Sequence, residues 1–324
     1  AKRAGVSTAT VSRVLRFPEK VKAKTREKVL EAITELNYQP NILARQFRRS
    51  ETRTILVVVP DISNYVFSHM VRGIEMIAME NDYKVIIGHT NINENLNYEY
   101  IDLLRQKQVD GMVLFTGHME RELLEELSRD YPVVLVSDYI ENSDIPSVSI
   151  DNINSARLIT EHLIQLGHTK IGTITGPLNL MVSQCRLNGF REAMKQYGLE
   201  VNPSHIQEGE YDYESGFLMM KKLLATNNPP TAVFAASDEM AFGAINAARE
   251  LGYNCPHDIS VVGFDNIKFS TIFRPALTTI GQPVYEMGRK AMEILLKRIN
   301  DETLIKRQFV LESELIIRDS CKKI

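Results

Sequence analysis

Two sets of residues along the chain have types and spacings that could do chemistry. Near the amino end, Ala9, Ser12 and Arg13 fall on one arc at 100° per residue, with Thr8 free at the amino end, while Val11, Val14 and Leu15 fall on the other. The apolar arc is expected to pack, leaving an arginine-bearing polar arc presented to whatever lies outside. Further on, Asp61, Asn64, Phe67, Asp138, Arg186, Tyr211, Ser237, Asp238 and Asp265 combine a guanidinium, carboxylates and two flat aromatic faces. A guanidinium and a carboxylate can each clasp vicinal hydroxyls in bidentate fashion, and Phe67 and Tyr211 can face a sugar ring or a base. The chemistry suits a small polyhydroxyl ligand. Any one of these acids taken singly reads equally well as a strand-end cap or a surface charge. Agreement of position and type at several sites favours binding.

Enzymatic chemistry finds little to build on. Walker A, GxGxxG, GxSxG and HExxH spacings are all absent. The nearest pair of the seven histidines, His162 and His168, is six apart, wrong for one helix face, so no metal site is expected. Cys185 stands beside Arg186, but no Cys–His pair can be assembled, and with Cys255 and Cys321 it reads as a reduced thiol.

The elements that must position these residues follow from pattern. Gly5 reads as a helix stop and Ser7 as an N-cap, the signature of one short helix ending and a second starting after a tight turn. A third segment opening near Thr25 places Val29, Ala32, Ile33 and Leu36 on a core-facing side and ends before Pro40. Three short helices of this kind make a helix-turn-helix. Charge adds to the picture: the first 50 residues hold twelve Lys and Arg against four Glu, a net of +8, so the whole-chain −3 leaves −11 for the other 274. A basic headpiece on an acidic body suggests that the small end meets a polyanion; the alternative is a solvated basic arm.

From Thr52 onward, short apolar strands alternate with amphipathic helices. Strands are expected at 55–59, 84–88, 111–115 and 133–137, then at 170–175, 231–237 and 259–264. Helices are centred near Ile74, Leu103, Leu124, Ile159, Ala193, Leu223 and Ala244, with a last one over 284–299 and strands near Phe309 and Leu315. This is α/β architecture, two doubly wound parallel-sheet lobes. Open parallel sheets bind ligands at the carboxyl ends of their strands, and two facing lobes turn those ends into one cleft. No apolar run exceeds the five residues Ile55–Val59, against the ~20 of a membrane span. The cytoplasm is therefore the default address expected. The chain starts at Ala1 without a methionine, and we read it as lacking the start of its first helix.

The runs AKRAGVSTATVSRVL and VKAKTREKVLEAITELNYQPN resemble the headpiece of the LacI/GalR bacterial repressors, and the likeness continues through the rest of the chain. The resemblance implies a helix-turn-helix over 1–40, a hinge helix or linker over 41–51, and two lobes of periplasmic-binding-protein type. The lobes would span 52–151 with 282–310 and 152–281 with 311–324, the chain crossing near Asp151, Gln282 and Val310.

It further implies base contacts from Thr8, Ala9 and Arg13 and phosphate contacts from Ser7, Thr10 and Ser12. The hinge would use Leu43, Ala44 and Phe47 in the minor groove, Phe47 standing where leucine is usual; the alternative is that Phe47 packs on the body. Phe67, Arg186, Tyr211 and Asp265 match effector-contacting positions, as do Asn64, Asp138 and Ser237 less directly. Leu180 and Val182 stand where a purine-responsive member has polar contacts, which argues against a purine. The runs LTTIGQPVYEMGRKAMEILL and SELIIRDS are similar to the cytidine-responsive and catabolite-control branches.

The function implied is a bacterial, nucleoid-associated, effector-responsive repressor, not an enzyme, binding a palindromic operator as a homodimer. It would take a sugar or nucleoside effector and no cofactor, with a phosphocarrier protein as a further partner in a catabolite-control type. A dimer is favoured over a tetramer because no heptad tail follows Ile324. The competing reading is a sugar-binding protein of periplasmic type without DNA function, against which the basic headpiece argues.

Overall fold

The computed structural model describes residues 1–38, 51–90, 94–115, 119–138, 140 and 143–324. It divides into two compact units, Ala1–Glu51 and Thr52–Ile324. The hinge residues Leu43, Ala44 and Phe47 lie outside the described residues.

In the small unit, α1 (Thr8–Arg16) and α2 (Ala23–Glu35) are joined through a 3-10 turn at Pro18–Lys20. Gly5 takes the left-handed φ of +63° that ends the opening turn, and the Ser7 hydroxyl accepts from the Thr10 amide at 3.1 Å, capping α1. Val14, Val29 and Ala32 form the buried centre. Leu15 and Leu36, expected on the packing side, are instead 41% and 59% exposed. Leu36 sits at the C-cap of α2 with φ −91° and ψ 0°, past the helical φ/ψ that would have kept its side chain on the apolar stripe.

The large unit holds two six-stranded sheets. The first contains β1 (Thr54–Val59), β2 (Lys84–His89), β3 (Gly111–Leu114), β4 (Val133–Val136), β5 (Ser147–Ile150) and, from far along the chain, β11 (Gln308–Leu311). Its order is β11-β5-β4-β3-β1-β2, parallel throughout. Around it lie α3 (Tyr65–Glu80), α4 (Glu94–Arg105) and α5 (Arg121–Asp130). The second sheet contains β6 (Ile171–Thr175), β7 (Ile206–Glu208), β8 (Ala232–Ala235), β9 (Ser260–Asp265), β10 (Thr278–Gly281) and β12 (Glu314–Ile316). Its order is β12-β10-β9-β8-β6-β7, with only β12 antiparallel. Its helices are α6 (Asn152–Gln165), α7 (Met181–Gln196), α8 (Tyr213–Leu224), α9 (Asp238–Glu250) and the short α10 (Phe269–Ile272). The long α11 (Val284–Ile299) follows β10 and packs on α3 of the first lobe.

Strands β1, β3 and β4 are buried almost throughout, as expected of parallel strands covered on both faces. Glycines let α3 and α11 approach closely: a Cβ at Gly73 would lie 2.1 Å from the Tyr285 carbonyl oxygen, and one at Gly288 1.9 Å from that of Met70. The strand order reverses between β1 and β3 in the first sheet and between β6 and β8 in the second. Those two switch points are where doubly wound sheets open a crevice at their carboxyl ends. The chain passes from the first sheet to the second after β5, returns after β10, and passes over again at residues 312 and 313, just beyond Val310, which lies inside β11.

Candidate functional site

On the small unit, Ser7, Thr8, Ala9, Ser12 and Arg13 are all exposed and Thr10 is half-buried. The Ser7 and Thr10 hydroxyls lie 3.0 Å apart, so both belong to the cap at the amino end of α1, where free amides and the helix dipole favour a phosphate oxygen. Arg13, one and a half turns further along, makes no ion pair among the described residues.

The large unit gathers its candidates at the carboxyl ends of its strands. After β1, Asn64 caps α3, its Oδ1 accepting from the amides of Val66 at 2.9 Å and Phe67 at 3.4 Å. This fixes the first turn so that Phe67 meets Phe115, at the end of β3, edge-on with centroids 5.6 Å apart. An aromatic wall thus stands at the first switch point. Asp138, buried, follows β4 beyond Ser137, whose φ is +71°.

Across from these, Arg186 projects from α7 and is 96% buried. Its Nε donates to Asn152 Oδ1 at 3.0 Å and its Nη1 to the Ala236 carbonyl at 2.5 Å, at the second switch point. The guanidinium lies 3.7 Å from the Phe264 ring centroid and 3.7 Å from Asp265 Oδ1. A buried cation over an aromatic face and beside a carboxylate is held in one orientation and is costly to leave unpaired.

Asp265 ends β9 with a φ of +121°, a conformation an L-residue rarely adopts, and its Oδ1 accepts from Gln282 Nε2 at 2.6 Å. Burial pushes its carboxyl up to about 8, against the pull of Arg186 and with the help of nearby Asp238. Tyr211, also at positive φ (+64°), places its hydroxyl 2.7 Å from that of Ser183. Burial raises its phenol above the ordinary value. Gly176 is required beneath that ring, since a Cβ there would stand 2.1 Å from Tyr211 Cε2. Strained backbone at three strand ends that share one cleft is a pattern associated with binding sites.

Three candidates also carry structural partners of their own. Ser237 is buried and caps α9, its Oγ accepting from the Met240 amide at 3.2 Å. Asp238 is wholly buried: Oδ2 accepts from the Ile267 amide and the Ser270 hydroxyl, Oδ1 from the Thr279 hydroxyl, and burial lifts its carboxyl to about 6. It ties β10 and the loop after β9 together. Asp61 is occupied by Ser63 at 2.8 Å, with His89 3.9 Å away.

Sequence reasoning missed Asn152, Phe264 and the site role of Gln282. Asn152 directly follows the crossing after β5 and Gln282 the end of β10, so the strand-end rule would have found both had those strands been read. No cluster of three or more His, Cys, Asp or Glu able to hold a metal occurs among the described residues. His168 is fixed by Thr231 at 2.9 Å and Ser260 at 3.0 Å, and burial pushes the Cys255 and Cys321 thiols up to about 12. No helix of the described residues is long and apolar enough to cross a membrane.

Comparison with known proteins agrees with the fold. Residues 1–41 match the family described as bacterial regulatory proteins, lacI family, and residues 52–318 match periplasmic binding proteins and sugar binding domain of LacI family. The HTH-type transcriptional repressor CytR of Escherichia coli (strain K12) is 39% identical over 323 residues, covering 99% of this chain and 95% of that protein. Catabolite control protein A of Priestia megaterium is 39% identical over 324 residues, covering 99% and 98%. The crystal structure of the lac repressor dimer bound to operator and the anti-inducer ONPF superposes with a TM-score of 0.91 at 30% identity, covering 99% of this chain and 97% of that one. The chain belongs to the LacI family of bacterial regulatory proteins.

Proposed function

We propose that the protein is an effector-responsive repressor that binds a palindromic operator as a homodimer, its cleft taking a sugar or a nucleoside. The observation that carries the effector reading is the buried Arg186–Asp265 pair at the strand ends, flanked by Tyr211 and Phe264. Arg186 Nη2 and Asp265 Oδ2 have no hydrogen-bond partner among the described residues and can serve vicinal hydroxyls, while Phe67 offers a ring face. Asn64, Asp138 and Ser237 complete the lining, Ser237 through a hydroxyl that still has a proton to donate.

Arg13, Thr8 and Ala9 would read the major groove, and Ser7, Thr10 and Ser12 would fix register on phosphates. The dimer reading is supported by exposed apolar residues: Met79 on α3, Ile86 and Ile87 on the edge strand β2, and Leu218, Phe269 and Ile272 on the second lobe. Likeness to Catabolite control protein A is as high as to CytR, so the phosphocarrier partner of a catabolite-control type is decided by retention of the chain on an immobilised carrier.

Calorimetric titration with nucleosides and sugars tests the cleft. A signal is expected for one class and is lost in Arg186→Ala and Asp265→Ala. Unchanged binding in both variants moves the site elsewhere.

A further inference from the structure

The end of the first lobe opposite the cleft carries a second polar cavity, of about 760 Å³. It lies where β4, β5 and β11 begin, and three separate elements bring a guanidinium to its wall: Arg129 from α5, Arg298 from the last turn of α11, and Arg307 from the segment entering β11. Arg298 is half-buried and forms no ion pair among the described residues. Its Nη2 donates only to backbone carbonyls, those of Ser128 and, at 2.8 Å, Tyr131. Burial and the neighbouring Arg307 lower its pKa. Arg307 pairs with Asp144 at 2.6 Å, but that carboxylate is 92% exposed and well screened by water. Arg129 makes no ion pair among the described residues, and Glu125 on the same wall is held by Arg121 at 2.8 Å. Arg298 is half-buried while Arg129 and Arg307 are exposed, and although Glu125 and Asp144 share the wall, three guanidinium groups converge on one concavity with donors left over.

The geometry points to a second ligand site, in which Arg129, Arg298 and Arg307 hold the phosphate group of a small phosphorylated metabolite. Guanidinium forks match phosphate oxygens in bidentate fashion. A small anion fits better than duplex DNA, because the site is a concavity and the residues beyond the first 50 carry a net −11 that opposes a polyanion along a broad face. Such a ligand would fasten α5, α11 and the start of β11 to one another. The inference stands apart from the effector cleft, which uses none of these residues.

Titration of the full chain with pyrophosphate at constant ionic strength tests it. Saturable binding is expected, displaced by a sugar phosphate, weakened at least tenfold in an Arg129→Gln/Arg307→Gln double variant, and unchanged in Arg186→Ala. Neither substituted residue holds the core together, so the double variant is expected to keep the wild-type Tm without ligand. Equal binding in wild type and double variant assigns the anion to the basic headpiece and overturns the site. Absence of saturable binding, or failure of a sugar phosphate to compete, overturns it as well. Loss of operator affinity in the double variant without a pyrophosphate site would give the cavity to flanking DNA instead.

Discussion

At the scale of single residues, the cleft is governed by charges held out of water. Asp265, lifted to about 8, is the group whose ionisation the proposed effector site would sense, since a carboxylate accepts from hydroxyls more strongly than the neutral acid does. Apparent effector affinity should therefore rise with pH through that value, roughly tenfold weaker at pH 7 than at pH 9. Calorimetry across that range checks this, and Asp265→Asn should flatten the profile. Asp238 acts on stability instead. Its folded pKa of about 6 lies above the ordinary carboxylate value, so the folded state holds the extra proton between roughly pH 4 and 6. The stabilisation is present below that window and is lost as pH rises through it. Asp238→Asn should remove this slope at little cost, since an amide can keep accepting from the Ile267 amide and can donate to a hydroxyl. Asp238→Ala, which orphans three donors, should lose about 2–3 kcal/mol. Urea midpoints at pH 5 and 7.5 distinguish the two.

At the scale of elements, close helix contact and strand identity decide what can be built. Gly73→Ala drives a methyl into the Tyr285 carbonyl at the α3–α11 contact, and we expect a loss of about 1–3 kcal/mol, read as a lower Tm. The strongly apolar strands were legible: ILVVV, GMVL and VVLV announce buried parallel strands through composition alone. Strands β5 (SVSI), β7 (IQE) and β10 (TTIG) were not, because their polar residues mask the pattern. In β10 the reason is specific. Thr278 and Thr279 are wholly buried, one hydroxyl accepting from the Arg318 amide and the other donating to Asp238, so partners a long way off in sequence make burial tolerable. Asn152 and Gln282 were missed for the same cause, since each follows one of these disguised strands. Arg186, Tyr211 and Asp265 were legible through type and position, whereas the inward cap of Ser237 and the buried network of Asp238 depend on tertiary neighbours that no local pattern contains.

At the scale of the whole molecule, a DNA-reading unit is joined to a ligand-binding unit, and allostery means that the effector binds the DNA-competent and DNA-incompetent states with different affinity. Pairing of two chains is part of that claim. Introducing charge at exposed apolar positions, as in Met79→Asp with Ile272→Asp, should yield a monomer in sedimentation experiments and should weaken binding to a palindrome far more than to a half-site. The most direct test is fluorescence anisotropy of a labelled palindromic duplex titrated with intact protein, with and without saturating effector. The account predicts a preference for the palindrome over random duplex, and an effector-dependent shift in its Kd of tenfold or more that disappears in Arg186→Ala. A palindrome affinity that is indistinguishable from random duplex, or that stays the same at every effector concentration, would contradict it.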